Sequence, residues 1–211
     1  MRIVVGSGLT RDLKQAEIDR HLQFMSEFIE RVERDEEPRK LSMILRGATS
    51  SAAEALMGLS TELARACIAA KIVVARLEPE DDLRRLFASL AELSPSEPAK
   101  DLIRWARNPR LLDAHEQATY GASMCWSGDA MRREADKRNC LSLFDAGAPD
   151  TARLGRLAFE ALWSASISIA ERRLVGPGTP KPSGAYETEP ASQIAVSQLR
   201  QAPQGWPLVR H

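Results

Sequence analysis

Between positions 10 and 37 the apolar residues Ile18, Leu22, Met25, Ile29 and Val32 recur at steps of four and three, a spacing that predicts a helix with one apolar face. Thr10 is placed to cap it, Asp12 complements its dipole, and Glu36-Glu37-Pro38 ends it. His21 lies beside the apolar stripe and is expected as a partly exposed helix residue, and the run RVERDEE reads as a solvated helix end. The pattern then shortens. LSMIL (41–45) has the length and composition of a buried strand, closed by Arg46-Gly47. Ser50 or Ser51 caps a following helix, Ser51 and Glu54 forming a capping-box pair, with Ala52, Leu56, Leu59, Leu63 and Ala66 at helical spacing. KIVVARL (71–77) has the β-branched centre of a strand buried on both faces. Strand, helix and strand of these lengths form a right-handed crossover with parallel strands, which sets the class as α/β.

Farther along, DDLRRLFASLAEL predicts a charged helix with Leu83, Leu86, Phe87 and Leu90 inward, broken by SPSEP. AKDLIRWAR (99–107) reads as a second short amphipathic helix ending at Asn108-Pro109, part of a surface insert with Trp105 against the core, or a lid or dimer contact. A strand carrying His115, a second ending at Ser127-Gly128-Asp129, a basic turn MRREADKR and a third strand over 139–144 follow. Asp150 or Thr151 then caps a helix whose broad apolar face is Leu154, Leu157, Ala158, Ala161, Leu162 and Ala165. From 172 to 211 the chain turns rich in Pro, Gly and Ser, and the composition predicts an extended tail. Its scattered apolar residues, Trp206 above all, suit docking on the protein's own surface or on a protein partner.

Composition narrows the function classes. Lys plus Arg (29) equals Asp plus Glu (29), so no overall basic field exists to hold nucleic acid. About five apolar residues open the chain, fewer than the ~7 of a signal core, and no run approaches the ~20 of a membrane span; a cytoplasmic protein is expected. Cys67, Cys125 and Cys140 are odd in number and beside apolar neighbours, as buried thiols would be, and no metal is expected. Gly6-Ser7-Gly8 lacks the Gly-Lys-Ser/Thr of a phosphate loop and the third glycine of a dinucleotide loop, so no cofactor is expected there.

The order of strands around His115, together with LSMILRG, SAAEALMGLSTELARA and AAKIVVARLEP before it, resembles the phospholipase D-like superfamily. The resemblance implies a mixed sheet flanked by helices over 1–171, with the tail at 172–211. Members carry H-x-K-x-x-x-x-D followed by G-S-x-N: the His attacks phosphorus, the Lys neutralises phosphate oxygens, and a second His protonates the leaving group. Here His115 matches the nucleophile, Gln117 stands in place of the Lys, Ala122 in place of the Asp, and Ser127-Gly128-Asp129 echoes the Gly-Ser turn. Asn139 is similar to an Asn that often follows. Arg110, Arg132, Arg133, Lys137 and Arg138 cluster in sequence around these strands as candidate anion-binding residues. A Gln supplies no charge where the transition state gathers negative charge, which commonly costs on the order of 100-fold in rate. The expectation is a non-catalytic binding or assembly module. The alternatives are a homodimeric phosphodiesterase or phosphoryl-transfer enzyme pairing two His115 side chains across a twofold axis, and a scaffold whose tail binds another protein.

Overall fold

Strands β1 (Lys40–Leu45) and β2 (Ala69–Val74) run parallel, Lys40 opposite Ala69 and Leu45 opposite Val74, joined by helices α2 (Ser51–Gly58) and α3 (Ser60–Arg65). The computed structural model describes residues 7–132 and 142–175. Within them α1 (Ser7–Glu33) precedes β1. After β2 come α4 (Glu80–Leu93), α5 (Ala99–Leu102), β3 (Ile103–Trp105), a 3₁₀ turn (Pro109–Asp113), β4 (His115–Tyr120) and β5 (Met124–Ala130). The chain closes with β6 (Leu143–Asp145), α6 (Pro149–Ala165), β7 (Ile167–Ser168) and α7 (Glu171–Leu174). The fold is α/β, a mixed seven-stranded sheet in the order β6-β5-β4-β1-β2-β3-β7 with helices on both faces. No helix among the described residues is long and apolar enough to cross a membrane.

Alternation along the strands divides the core in two. Leu41, Met43 and Leu45 of β1 and Ile72 and Val74 of β2 face α1, α2 and α4, packing with Phe28, Leu56, Leu83 and Leu86. Ile44 and Val73 face the other way, onto Phe159 of α6. The crossover was therefore legible from the pattern, but several local expectations are corrected. Residues 103–105 are a strand, not the second half of a helix: Ile103 pairs with Ile72 and Trp105 with Val74, so the open edge of β2 overrides a short amphipathic pattern. The Ala/Leu-rich helix breaks at Gly58-Leu59, where glycine is a weak helix former. Thr10 lies inside α1, Ser51 inside α2, and Asp150 and Thr151 inside α6, so none is the capping residue; Ser50 holds the N-cap position of α2 without a side-chain cap bond, and Glu54 pairs with Lys14. Glu37, expected in a solvated run, is buried, and Cys67, expected buried, is exposed, whereas Cys125 is buried. Cys140 lies outside the described residues. Leu174 of α7 belongs to the core, so the packed unit continues a few residues past 171.

Of the apolar face expected on helix α6, only Leu162 turns towards the sheet. Ala152, Phe159 and Trp163 pack inward, while Leu154 and Leu157 are 59% and 52% exposed, with Ala158, Ala161 and Ala165 exposed beside them. Gly155 explains the close approach, since a Cβ there would stand 2.6 Å from Thr119 Cγ2. The two aromatic rings bury more surface than the Leu/Ala stripe could.

His21 is the other correction: it is fully buried. Its ring meets Trp126 edge-on with centroids 4.4 Å apart and Phe144 at 4.9 Å. Neither ring nitrogen has a hydrogen-bond partner among the described residues, although Glu17 Oε1 lies 3.7 Å from Nε2. That buried carboxylate is held instead by Arg20 at 3.2 Å and by the Ser142 hydroxyl, which accepts in turn from Trp126 Nε1 at 2.8 Å. Burial pushes the His21 pKa down to about 3. Above pH ~6.5 the imidazole is neutral in both folded and unfolded chains; below it the unfolded chain takes up the proton first, so stability is lost as pH falls from ~6.5 towards about 3. His21→Phe keeps a ring and removes this titration. Urea midpoints measured from pH 7 to 4 should therefore fall less in the variant, by on the order of 2–4 kcal/mol at the acid end. Parallel curves would show that His21 does not stay neutral in the folded chain.

Candidate functional site

The β4–β5 hairpin is set by a three-residue turn that only a glycine could open. Gly121 has φ +62°, and a Cβ there would come within 2.3 Å of Glu37 Oε2. Glu37 reaches in from the end of the α1 region to accept hydrogen bonds from the Ala122 backbone N–H and the Ser123 hydroxyl. Nothing local in the sequence announces this contact, because Glu37 sits in a charged run 85 residues from Ala122.

From that turn the register runs Tyr120 opposite Met124, Thr119 opposite Cys125 and Gln117 opposite Ser127. A bulge then places His115 opposite Ala130. The extra residue brings the Gly128 carbonyl 2.7 Å from His115 Nδ1. A carbonyl only accepts, so Nδ1 carries the hydrogen in the neutral ring and Nε2 keeps its lone pair. The His115 side chain is exposed. Gly128 has a reason of its own: a Cβ would stand 2.4 Å from the Trp126 ring.

Because β4 runs antiparallel to β1, with Gln117 opposite Ile44, His115 lies beyond the carboxyl end of β1. That is the end of an open α/β sheet where ligands most often bind. Arg46, the first residue after β1, gives its N–H to Glu116 Oε1 at 2.8 Å, and its carbonyl receives the Arg76 N–H at 2.8 Å. Glu116 thereby ties the start of β4 to the loop after β1, a role its sequence context does not reveal. Arg110 stands exposed in the 3₁₀ turn, its backbone N–H capped by Asn108 at 3.0 Å. Arg132 pairs with Asp113 at 3.0 Å, and Met131 N–H reaches the Ala114 carbonyl at 2.9 Å.

The hairpin thus brings His115, Gln117 and Ser127 to one end of two adjacent strands, with Arg110 and Arg132 on the segments that flank them. Asn139, Arg133, Lys137 and Arg138 lie outside the described residues. The assembled set offers an imidazole with one oriented nitrogen, an amide, a hydroxyl and a guanidinium already engaged by a carboxylate. Among the described residues no three His, Cys, Asp or Glu side chains are placed to share a metal ion.

The turn that sets this register should be sensitive to a single methyl group. Gly121→Ala forces a left-handed backbone on alanine and pushes Glu37 aside, and should lower stability by about 1–3 kcal/mol in urea unfolding. An unchanged midpoint would mean that the Glu37 contact does not hold the hairpin. Comparison with known proteins adds no relative: no protein-family model matches the chain, and no curated protein and no solved structure matches it.

Proposed function

We propose that this chain is a phospholipase D-like domain with a degenerate active site, acting as a non-catalytic binding and assembly module in a homodimer. The observation that carries the reading is Gln117, an uncharged side chain opposite Ser127 on the strand that bears His115, where the resembled enzymes hold a Lys. A phosphoryl group placed against His115 would meet a hydrogen-bond donor there and no positive charge, and Arg132 is shared with Asp113. Ala122 fits the same reading. The position occupied by Asp in the family motif lies here in a turn fastened by the Glu37 carboxylate, where a second acid would be repelled. One feature favours the catalytic alternative: the bond from Nδ1 to the Gly128 carbonyl leaves Nε2 oriented and His115 exposed, as a nucleophile requires.

The outward stripe of α6 supports assembly. Leu154, Ala158, Ala161 and Ala165 alternate steps of four and three, with Leu157 alongside, and the alanines allow a second helix to approach closely. Arg153 and Glu160 lie on one flank of this stripe. Antiparallel pairing of two α6 helices about Leu157 brings each Arg153 to the Glu160 of the second copy, so the charges are complementary under twofold symmetry.

Two measurements test these statements. Bis(p-nitrophenyl) phosphate should be hydrolysed no faster by the protein than by buffer; turnover that His115→Asn abolishes with the fold intact would establish the catalytic alternative. Sedimentation at micromolar concentration should give a dimer that Leu157→Glu converts to monomer. A monomeric native chain would remove both the dimer and any site shared between two His115 side chains.

A further inference from the structure

The sheet face beneath α6 changes character along its length. At the carboxyl half of the parallel strands it is apolar, Ile44 and Val73 packed on Phe159. One step back it is polar: Lys71 stands opposite Ser42, and Ser42 opposite Thr119, so the three side chains form a row across β2, β1 and β4 on the α6 side. Of the three, Lys71 is exposed and Ser42 half-buried, while the Thr119 methyl packs against Gly155 of α6. Thr119 is 4% exposed, and its hydroxyl oxygen is enclosed with no hydrogen-bond partner among the described residues.

Over this row α6 leaves a cleft of about 740 Å³, within the range of small-molecule pockets. Its rim carries Lys40, Lys71 and Arg156 against a single carboxylate, Glu160. Arg156 is anchored there, donating through Nη1 to the Gly121 and Ala122 carbonyls at 3.0 and 3.1 Å. The remaining wall is aromatic, Phe159 and Trp163, and Lys71 Nζ sits 5.4 Å from the centre of the Trp163 ring. Three cations against one anion leave a net charge of two to neutralise, and the indole offers a flat apolar surface.

We propose that this cleft is a second binding site, separate from His115, for an organic phosphate monoester whose dianion meets Lys71 and the Ser42 hydroxyl while its planar group lies along Trp163. The proposal does not depend on the phospholipase D-like reading, since His115 lies at the other end of β4.

Titration calorimetry of the full chain with 1-naphthyl phosphate tests it. Saturable binding at one site per chain is expected, with inorganic phosphate and 1-naphthol each at least about tenfold weaker because each satisfies half of the cleft. Ser42→Ala, which removes the hydroxyl, and Lys71→Met should each weaken binding by roughly tenfold. His115→Asn should leave it unchanged. Absence of binding at millimolar ligand, affinity indifferent to both sheet variants, inorganic phosphate binding as tightly as the ester, or loss of binding in His115→Asn would each overturn the assignment.

Discussion

A strand that buries one whole face and the carboxyl end of the other has no register to slip to, and β1 is such a strand. Moving it one residue against β2 would send Lys40, Ser42 and Ile44 into the space held by Leu41, Met43 and Leu45, placing an ammonium and a hydroxyl among Phe28, Leu56 and Leu83. The register of the parallel pair is therefore fixed from both layers at once. Everything else is hung from it: β4 pairs along β1, β5 along β4, and β3 continues the sheet from the far edge of β2. The position of His115 beyond the carboxyl end of β1 and that of Thr119 nearer its start are both consequences of this one alignment.

Two buried acids extend the constraint. Glu37 closes the β4–β5 turn and Glu17 joins α1 to Trp126 through Ser142. Each is a carboxylate removed from water and answered by donors from distant parts of the chain, so each costs stability unless its partners arrive together. The first sets where the hairpin begins, and the second sets how α1 lies on the sheet. Between them the hairpin that carries the candidate residues is located at its turn and along its body.

The parts legible in the sequence were those written in short-range patterns. LSMIL and KIVVARL gave themselves away as strands because a short, mainly apolar run suits burial, and the strands that carry His115 and Ser127 were visible as well. His21, by contrast, looked peripheral because the stripe through Ile18 and Leu22 was read as the centre of the face. The centre is set by what the helix meets, and Trp126 and Phe144 draw His21 inward. On α6 two apolar stripes competed, and the larger area of Phe159 and Trp163 decided between them. Residues 103–105 form a strand because β2 offers an edge to pair with, a fact no local window contains. The candidate site was half legible: His115, Gln117 and Ser127 stand out only through the motif that the family resemblance implies, whereas the Glu116–Arg46 and Glu37–Ala122 contacts join segments 70 and 85 residues apart.

The approach of Trp126 to Gly128 carries one more implication. The ring occupies the space that any side chain at 128 would need, and the same ring forms a wall of the box around His21. A larger residue at 128 is admissible only if 126 shrinks, and a smaller residue at 126 would open a void against His21 and Phe144. The two positions are thus bound to vary as a pair during divergence, and with them the placement of the carbonyl that orients His115. In a lineage where tryptophan at 126 is lost, the imidazole's anchor should drift as well, whatever happens to the histidine itself.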